Sequence, residues 1–225
     1  MVKFSRERLE EITNRKLNFE VKDNNLILAT SLEDTKLGDV VQDVEGSSYE
    51  WFQIFDQNDQ PYKINGCDTI LYRKECHGED RIRNVYHRGT DIWVINDKNE
   101  LMVPIRGPNK DLYPSMADNS VGEHNNINEN YLDTAVRGFD EELGIKVNKQ
   151  DLNLIAKLPV YDSNQWQWSQ YYVYHDKDGK YNPSEKEISS IEWIKLKDLT
   201  DLRVKELNFR PDHLPAFKLF LEKYK

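Results

Sequence analysis

The sequence predicts an α/β domain in which a mixed β-sheet lies between helices. Short apolar runs with strand-like alternation are separated by turn residues, and they occur both before and after an amphipathic helix. Strands mixed with a few helices are typical of layered α/β domains. The 225 residues include 38% hydrophobic residues, which suffices for one main core with a small accessory segment beside it.

The N-terminal part of the chain, residues 1–48, is predicted to form the accessory segment. Residues 5–17 (SRERLEEITNRKL) have the pattern of a short capped helix with a charged face. Residues 24–34 (NNLILATSLED) alternate like a single strand. Neither stretch contains a motif with chemical meaning, so the main domain is predicted over residues 49–225.

The strands of the main domain are predicted between successive turn signals. WFQIFD at 51–56 is predicted as a strand between turns at 46–48 and 58–59. A strand at Ile92–Ile95 is expected to form a hairpin with LMVPIRG through the turn at 97–99. The remaining predicted elements are strands at LNLIAKLPVY, WSQYYVYHD and ISSIEWIKL and an amphipathic C-terminal helix at HLPAFKLFLEKYK.

An amphipathic helix is predicted just before Gly144, which would cap its C-terminal end. Its apolar residues recur at steps of three and four, so they form one stripe facing a core while the acidic residues project away from it. These apolar residues are Leu132, Ala135, Val136, Phe139 and Leu143. Arg137 lies one turn before Glu141 and is expected to contact it.

Two adjacent carboxylates, Glu141 and Glu142, stand at the end of this helix. Mg2+ and Mn2+ prefer oxygen ligands, and they bind substrate phosphates beside one or two protein carboxylates. Such a cation orients a diphosphate, neutralises developing charge and lowers the pKa of a bound water. The pair therefore predicts cation-dependent phosphoanhydride hydrolysis, and the alternative is a solvated helix end without a ligand.

The segment containing these acids resembles the Nudix box. That pattern is Gly, five residues, Glu, seven residues, Arg-Glu, a bulky apolar residue, any residue, Glu-Glu, any residue, Gly and a bulky apolar residue. The matching positions are Glu129, Arg137, Phe139, Glu141, Glu142, Gly144 and Ile145. Two positions depart from it, because Glu123 replaces the opening Gly and Gly138 replaces the Glu after Arg137.

The resemblance implies a Nudix-type mixed β-sheet sandwiched between helices and a hydrolase that cleaves a diphosphate linkage in a nucleoside diphosphate derivative or related small molecule. It implies Mg2+ or Mn2+ as the cofactor and Glu141 and Glu142 as metal ligands. Glu142, Glu141 and Arg137 are then the expected catalytic residues, with Arg137 orienting the acids. Gly138 removes one box acid, so a catalytically impaired ligand-binding module is the alternative.

A wider resemblance extends over most of the chain after about residue 49. Here the chain is similar to the Nudix branch that includes isopentenyl-diphosphate isomerases and their hydrolase relatives. The segments that carry this likeness are FDQNDQ, His87-Arg88, RGPNKDLYP and VGEH. In the isomerases an Arg and a Lys of the third segment grip the substrate diphosphate, which the resemblance carries onto Arg106 and Lys110. An Arg fork with a Lys point charge also suits a phosphate physically.

The isomerase chemistry itself is not expected. The position of the isomerase Cys is Gly122, and the strand that carries a Glu-x-Glu pair in the isomerases is WQWSQ at 166–170. Moving a proton on carbon needs an acid and a base, so an isomerase relative is the less favoured alternative. Three histidines fall at or near isomerase metal positions, and two of them, His87 and His124, are expected to have structural or supporting roles.

A third acid for the site has three candidate sources outside the Glu pair. Glu185 and Glu187 precede a predicted strand, and a Nudix hydrolase often takes a base or a further ligand from such a place. Glu123 is the other candidate, because it replaces a Gly that normally lets the backbone approach the metal, and its carboxylate would enter the site in place of the acid missing at 138. The sequence leaves the choice open.

Composition bounds the partners and the location. The formal net charge of −9 argues against binding a nucleic acid polymer, so a small-molecule diphosphate is the expected partner, with a homodimer possible. Cys67 and Cys76 are too few for a disulfide framework. No apolar run is long enough for a membrane span, and a cytoplasmic location is expected.

Overall fold

The computed structural model divides the chain into two compact units. It describes residues 18–22, 25–29, 50–64, 67–78, 81, 85–110, 112–161, 163–177, 179–183 and 187–225. Unit 1 comprises Met1–Arg88, Asn126–Asn128 and Tyr161–Gln167, and unit 2 comprises Gly89–Asn125, Glu129–Val160 and Trp168–Lys225. The predicted helix at 5–17 and the predicted turn at 46–48 lie outside the described residues.

A five-stranded sheet belongs to unit 1. Its strands are β1 (Asn18–Lys22), β2 (Asn25–Ala29), β3 (Trp51–Gln53), β4 (Lys63–Ile64) and β5 (Cys67–Tyr72), and the short helix α1 (Arg73–Cys76) follows. The order is β1-β2-β5-β3, with β4 also paired to β5. The strand predicted within 24–34 is observed as β2, whereas β1 was not anticipated. Strands on both sides of residue 48 share this sheet, and the predicted boundary at 48/49 stays a prediction.

The second sheet has six strands and carries the later predicted elements. They are β6 (His87–Asn96), β7 (Glu100–Arg106), β8 (Val121–His124), β9 (Leu152–Tyr161), β10 (Trp166–Asp176) and β11 (Ile188–Lys195). Their order is β11-β7-β6-β10-β9, with β8 also paired to β6. The predicted β6–β7 hairpin is confirmed, and Asn99 in its turn has a φ of 55°.

Helices cover the two faces of this sheet. They are α2 (Tyr131–Leu143), α3 (Asp201–Glu206) and α4 (Leu214–Tyr224). Successive side chains of β6 point to opposite faces of the sheet. Ile92 and Val94 therefore pack with residues of α2, whereas Trp93 and Ile95 pack with residues of α4. The predicted class, a mixed sheet sandwiched between helices, is confirmed. The short helix α3 was not predicted.

Helix α2 has the ends and the apolar stripe that the sequence predicts. The side chain of Asn130 accepts hydrogen bonds from the backbone N–H groups of Leu132 and Asp133, which satisfies donors in the first turn. Gly144 ends the helix with a φ of 66°. The stripe is buried at Ala135, Phe139 and Leu143 and partly buried at Leu132 and Val136. No helix in the described ranges is both long and apolar enough to cross a bilayer.

Gly144 is expected to tolerate a side chain poorly for two separate reasons. Its φ of 66° disfavours any L side chain, and a Cβ there would lie 3.1 Å from the backbone oxygen of Asn182. Gly179 shares the first problem, with a φ of 61°, but its nearest contact would be a side-chain oxygen at 3.8 Å. Gly179→Ala should lower the free energy of unfolding by about 1–2 kcal/mol. Gly144→Ala should lower it by about 1–3 kcal/mol more, since the backbone must move.

Urea denaturation of the two variants against the unchanged protein measures this difference. If Gly144→Ala and Gly179→Ala lower the free energy of unfolding equally, the close approach to Asn182 does not add to the cost at Gly144.

Candidate active site

Strand β8 approaches helix α2 unusually closely at Gly138, which is buried. A Cβ at this position would lie 3.0 Å from Cγ1 of Val121 and 3.1 Å from Cβ of Glu123. Both distances are tighter than ordinary van der Waals contact, so both neighbours would have to shift slightly to admit a side chain there. The two departures from the box pattern, at 123 and 138, are therefore in contact with each other.

Arg137 connects the helix to strand β8 and to the segment that follows it. Its Nε and Nη2 donate to the two carboxylate oxygens of Glu129 at 3.0 and 2.9 Å. Nη1 donates to Oε2 of Glu141 at 2.9 Å, as the spacing predicted, and lies 3.5 Å from Oε1 of Glu123. Nη2 also donates to the backbone oxygen of His124 at 2.6 Å. Burial opposes the charge, but the bond to Glu129 and the surrounding carboxylates raise the Arg137 pKa.

Glu142 lies in a more crowded electrostatic environment than Glu141. Its Oε1 accepts a hydrogen bond from the backbone N–H of Gly122 at 3.1 Å. Burial, followed by the negative charges of Glu123 and Glu187, raises the pKa of Glu142 well above its ordinary value, and the bond from Gly122 opposes this only in part. Glu141 is instead more than half exposed, with 54% of its side chain accessible. The two adjacent acids thus face different surroundings.

The two basic side chains predicted to bind the substrate each pair with a carboxylate. Nη1 of Arg106 donates to Oδ2 of Asp118 at 2.6 Å, and Nζ of Lys110 forms an ion pair with Glu187. Pairing of β11 with β7 brings these segments together, because Ile188 lies opposite Arg106. The side chains of Arg106 and Lys110 are only 15% and 16% exposed.

Asp118 and Arg210 form a buried support for Arg106 that sequence reasoning did not identify. Oδ2 of Asp118 also accepts from Nη1 of Arg210 at 3.0 Å, and Arg210 binds Asp212. Burial disfavours the charged carboxylate, yet Arg210 and Arg106 together hold the pKa of Asp118 below its ordinary value. Asp118 and Arg210 lie 92 positions apart with no motif linking them, so the pattern carried no signal for this pair.

Most of the predicted site residues come together within unit 2. The charges of Glu123, Glu187 and Asp118 all act on Glu142, and the last two are the acids that bind Lys110 and Arg106. Glu185 lies outside the described residues. Carboxylates that can hold a divalent cation therefore stand beside cations that suit a diphosphate.

His77 and His87 form a buried pair in unit 1. Their Nε2 atoms are 3.1 Å apart, and the ring of Phe52 stacks on His87 with 4.5 Å between centroids. The backbone carbonyl of His124 accepts a hydrogen bond from Arg137. The structural or supporting roles expected for the side chains of His87 and His124 stay predictions.

The chain is an α/β protein in which a mixed sheet lies between helices and two adjacent carboxylates stand at the end of one helix. A NUDIX domain model matches residues 85–220, which is more than half of the sequence. The chain therefore belongs to the Nudix family, and the resemblance seen in the sequence is confirmed.

Proteins with similar sequences agree with this assignment. The chain is 26% identical over 190 residues to the uncharacterized Nudix hydrolase YfcD of Escherichia coli K12, covering 79% of this chain and 89% of that protein. It is 24% identical over 188 residues to isopentenyl-diphosphate Delta-isomerase 1 of Mesocricetus auratus, covering 76% of this chain and 80% of that protein. Hydrolases and isomerases thus both occur among its relatives.

Solved structures share the fold. The crystal structure of DR0079 from Deinococcus radiodurans matches with a TM-score of 0.55 and 18% identity, covering 78% of this chain and 99% of that one. The NUDIX domain of Shewanella oneidensis NrtR, cocrystallised with ADP ribose, matches with a TM-score of 0.50 and 14% identity, covering 62% and 89%.

Removing the charge of Glu142 should stabilise the protein at neutral pH without added metal. Because folding raises the pKa of this carboxyl group, its contribution to stability is complete below the ordinary pKa of 4.5 and is lost as the pH rises through the folded pKa. Glu142→Gln keeps an oxygen for the N–H of Gly122 but cannot ionise. The variant should match the unchanged protein at pH 4 and exceed it at pH 7.

Urea denaturation at a series of pH values in the presence of a chelator measures this effect. Asp140→Asn is the matched control, since Asp140 is an exposed acid on the same helix, paired only with the exposed Lys146 in the described contacts. A Glu142→Gln variant that is less stable than the unchanged protein at pH 7 would contradict the prediction.

Proposed function

We propose that this protein is a divalent-cation-dependent hydrolase that cleaves a diphosphate linkage in a nucleoside diphosphate derivative or a related small molecule. One observation carries the proposal: Glu142 is held by a backbone N–H among further acids, while Lys110 and Arg106 are bound to two of those acids. This juxtaposition of carboxylates and cations suits a metal-bound diphosphate. Membership of the Nudix family and likeness to a Nudix hydrolase support the same reaction.

The acids fit a hard cation. Burial and the neighbouring negative charges raise the pKa of Glu142. A divalent ion would offset the repulsion between these carboxylates. Glu142 and Glu141 would hold Mg2+ or Mn2+, which when bound polarises the diphosphate and activates water. Arg137 would orient Glu141, to which it donates a 2.9 Å hydrogen bond. The Gly122 N–H would keep one oxygen of Glu142 in place.

The two paired cations would bind the substrate phosphates. Asp118 and Glu187 hold the guanidinium of Arg106 and the ammonium of Lys110 in position before any substrate arrives, which lowers the entropy lost on binding. The ADP ribose bound by the NrtR NUDIX domain gives a reason to begin with nucleotide-derived diphosphates. A small anionic substrate also agrees with the formal net charge of −9, which disfavours nucleic acid polymers.

Hydrolysis is favoured over isomerisation by the residues available for proton transfer. Position 122 is a glycine whose N–H binds Glu142, and the strand segment 166–170 contains no carboxylate. An isomerase would need an acid and a base at carbon, which these positions do not provide. An isomerase would also incorporate deuterium from heavy water into a prenyl diphosphate, whereas the proposed hydrolase would not.

Turnover is expected to require both a divalent cation and Glu142. Phosphate release, with phosphatase coupling where needed, should be measured on nucleotide sugars, dinucleoside polyphosphates and ADP-ribose with Mg2+ or Mn2+. Glu142→Gln should lower kcat by about 100-fold or more, as expected when one transition-state charge contact is lost. Asp140→Asn should remain near the unchanged rate, because its side chain lies at the exposed surface.

A result with tight ligand binding but no cation-dependent, Glu142-dependent turnover on this panel would contradict the proposal. It would identify the chain as the ligand-binding module that Gly138 raises as the alternative.

Lys110→Met is expected to weaken substrate binding more than it slows the chemical step. Its ammonium would contact a bound phosphate, so kcat/KM should fall by about tenfold, corresponding to about 1.4 kcal/mol, mainly through KM. Lys98→Met, in the exposed β6–β7 turn, is the matched control with the same charge change. Equal kinetic effects of the two substitutions would remove Lys110 from the binding site.

A further inference from the structure

The two departures from the Nudix box pattern compensate each other in space. The missing acid is at Gly138 on α2, and the added acid is Glu123 on β8. A Cβ built on Gly138 would lie 3.1 Å from Cβ and 3.6 Å from Cγ of Glu123. The stem of Glu123 therefore borders the space that a side chain at 138 would need, and it would have to move slightly to admit a Cβ there.

This volume lies on the same face of the helix as Glu142. Residues four apart on an α-helix sit one above the other, so a side chain at 138 would be a direct neighbour of Glu142. Gly122, the residue before Glu123, already donates its N–H to Glu142 at 3.1 Å. The stem of Glu123 consequently lies beside Gly138, and the residue before it in β8 is hydrogen-bonded to Glu142.

We propose that Glu123 supplies the acidic cation ligand that α2 lacks at Gly138, so that the metal site is built from both the helix and strand β8. The inference rests on the proposed cation-dependent function and names a ligand for that same site. It accounts for both departures with one rearrangement, because the Gly at 138 makes room for the Glu at 123.

The surroundings of Glu123 fit a ligand that is fixed before the cation arrives. Its Oε1 accepts from the backbone N–H of His124 at 3.0 Å and lies 3.5 Å from Nη1 of Arg137. The side chain is 20% exposed, so the carboxylate is accessible to an ion from solvent. Glu123 and Glu142 repel one another without a cation, and a divalent ion between them would attract both carboxylates and outweigh this repulsion.

Manganese binding tests the inference directly. The apparent Kd of Mn2+ is measured by the electron paramagnetic resonance signal of the free ion for the full chain and for Glu123→Gln, Glu142→Gln and Asp140→Asn. Glu123→Gln should weaken binding at least about tenfold, as should Glu142→Gln. Asp140→Asn should leave it unchanged, because it removes an equal charge at an exposed site on the same helix.

Moving the acid back to the helix provides an independent readout. Gly138→Glu alone should lower the melting temperature, since the new Cβ meets Val121 and Glu123. Adding Glu123→Gly removes one of these two contacts, so the double variant should melt above Gly138→Glu. It should also bind Mn2+ more tightly than Glu123→Gly alone, because it again carries a carboxylate next to Glu142.

The outcomes separate this inference from the function on which it rests. If Glu123→Gln binds Mn2+ like the unchanged protein while Glu142→Gln does not, Glu123 only pairs with Arg137, and the inference is wrong while the proposed function stands. If Glu142→Gln also binds Mn2+ normally, or the unchanged protein does not bind it, both are wrong. A melting temperature of Glu123→Gln close to that of the unchanged protein excludes misfolding as the cause of weak binding.

Discussion

The close approach of strand β8 to helix α2 is the constraint on which the site depends. Gly138 permits it, because any side chain there would meet Val121 and Glu123 at about the closest distance atoms adopt. Two hydrogen bonds then cross the gap, from Gly122 to Glu142 and from Arg137 to the carbonyl of His124. Glycine in a helix interior costs about 1 kcal/mol relative to alanine. The crossing bonds and the buried contact of Val121 offset this cost, so Gly138 has a structural reason that the motif alone does not reveal.

The same approach concentrates negative charge. Arg137 neutralises part of this charge through two hydrogen bonds to the carboxylate of Glu129 and one to Glu141. Glu142 has no guanidinium among the contacts described for it, and its raised pKa reflects burial beside like charges. Such an arrangement lowers stability at neutral pH and is typical of a functional site, where a ligand supplies the missing countercharge.

Much of the fold could be predicted from the sequence because periodicity is a local property. The stripe along α2, the cap at Gly144 and the β6–β7 turn each follow from residues near one another in the chain. The support for Arg106 could not be predicted, since Arg210 reaches Asp118 only through the folded chain. The paired departures at 123 and 138 suggest from the sequence that Glu123 replaces the missing acid, but the spacing of the box does not show that the two positions are neighbours in space. Their proximity gives a common reason for both departures, and it is visible only once the separation of β8 and α2 is known.

The position of a bound Mn2+ ion tests this account most directly. Crystals of the full chain grown with MnCl2 would locate the ion by its anomalous scattering, independently of turnover. The predicted ion lies about 2.1 Å from a carboxylate oxygen of Glu142 and from one of Glu123, with waters completing the coordination. An ion bound elsewhere, or one held by Glu142 while Glu123 stays on Arg137 and away from the metal, would contradict a site built jointly by β8 and α2.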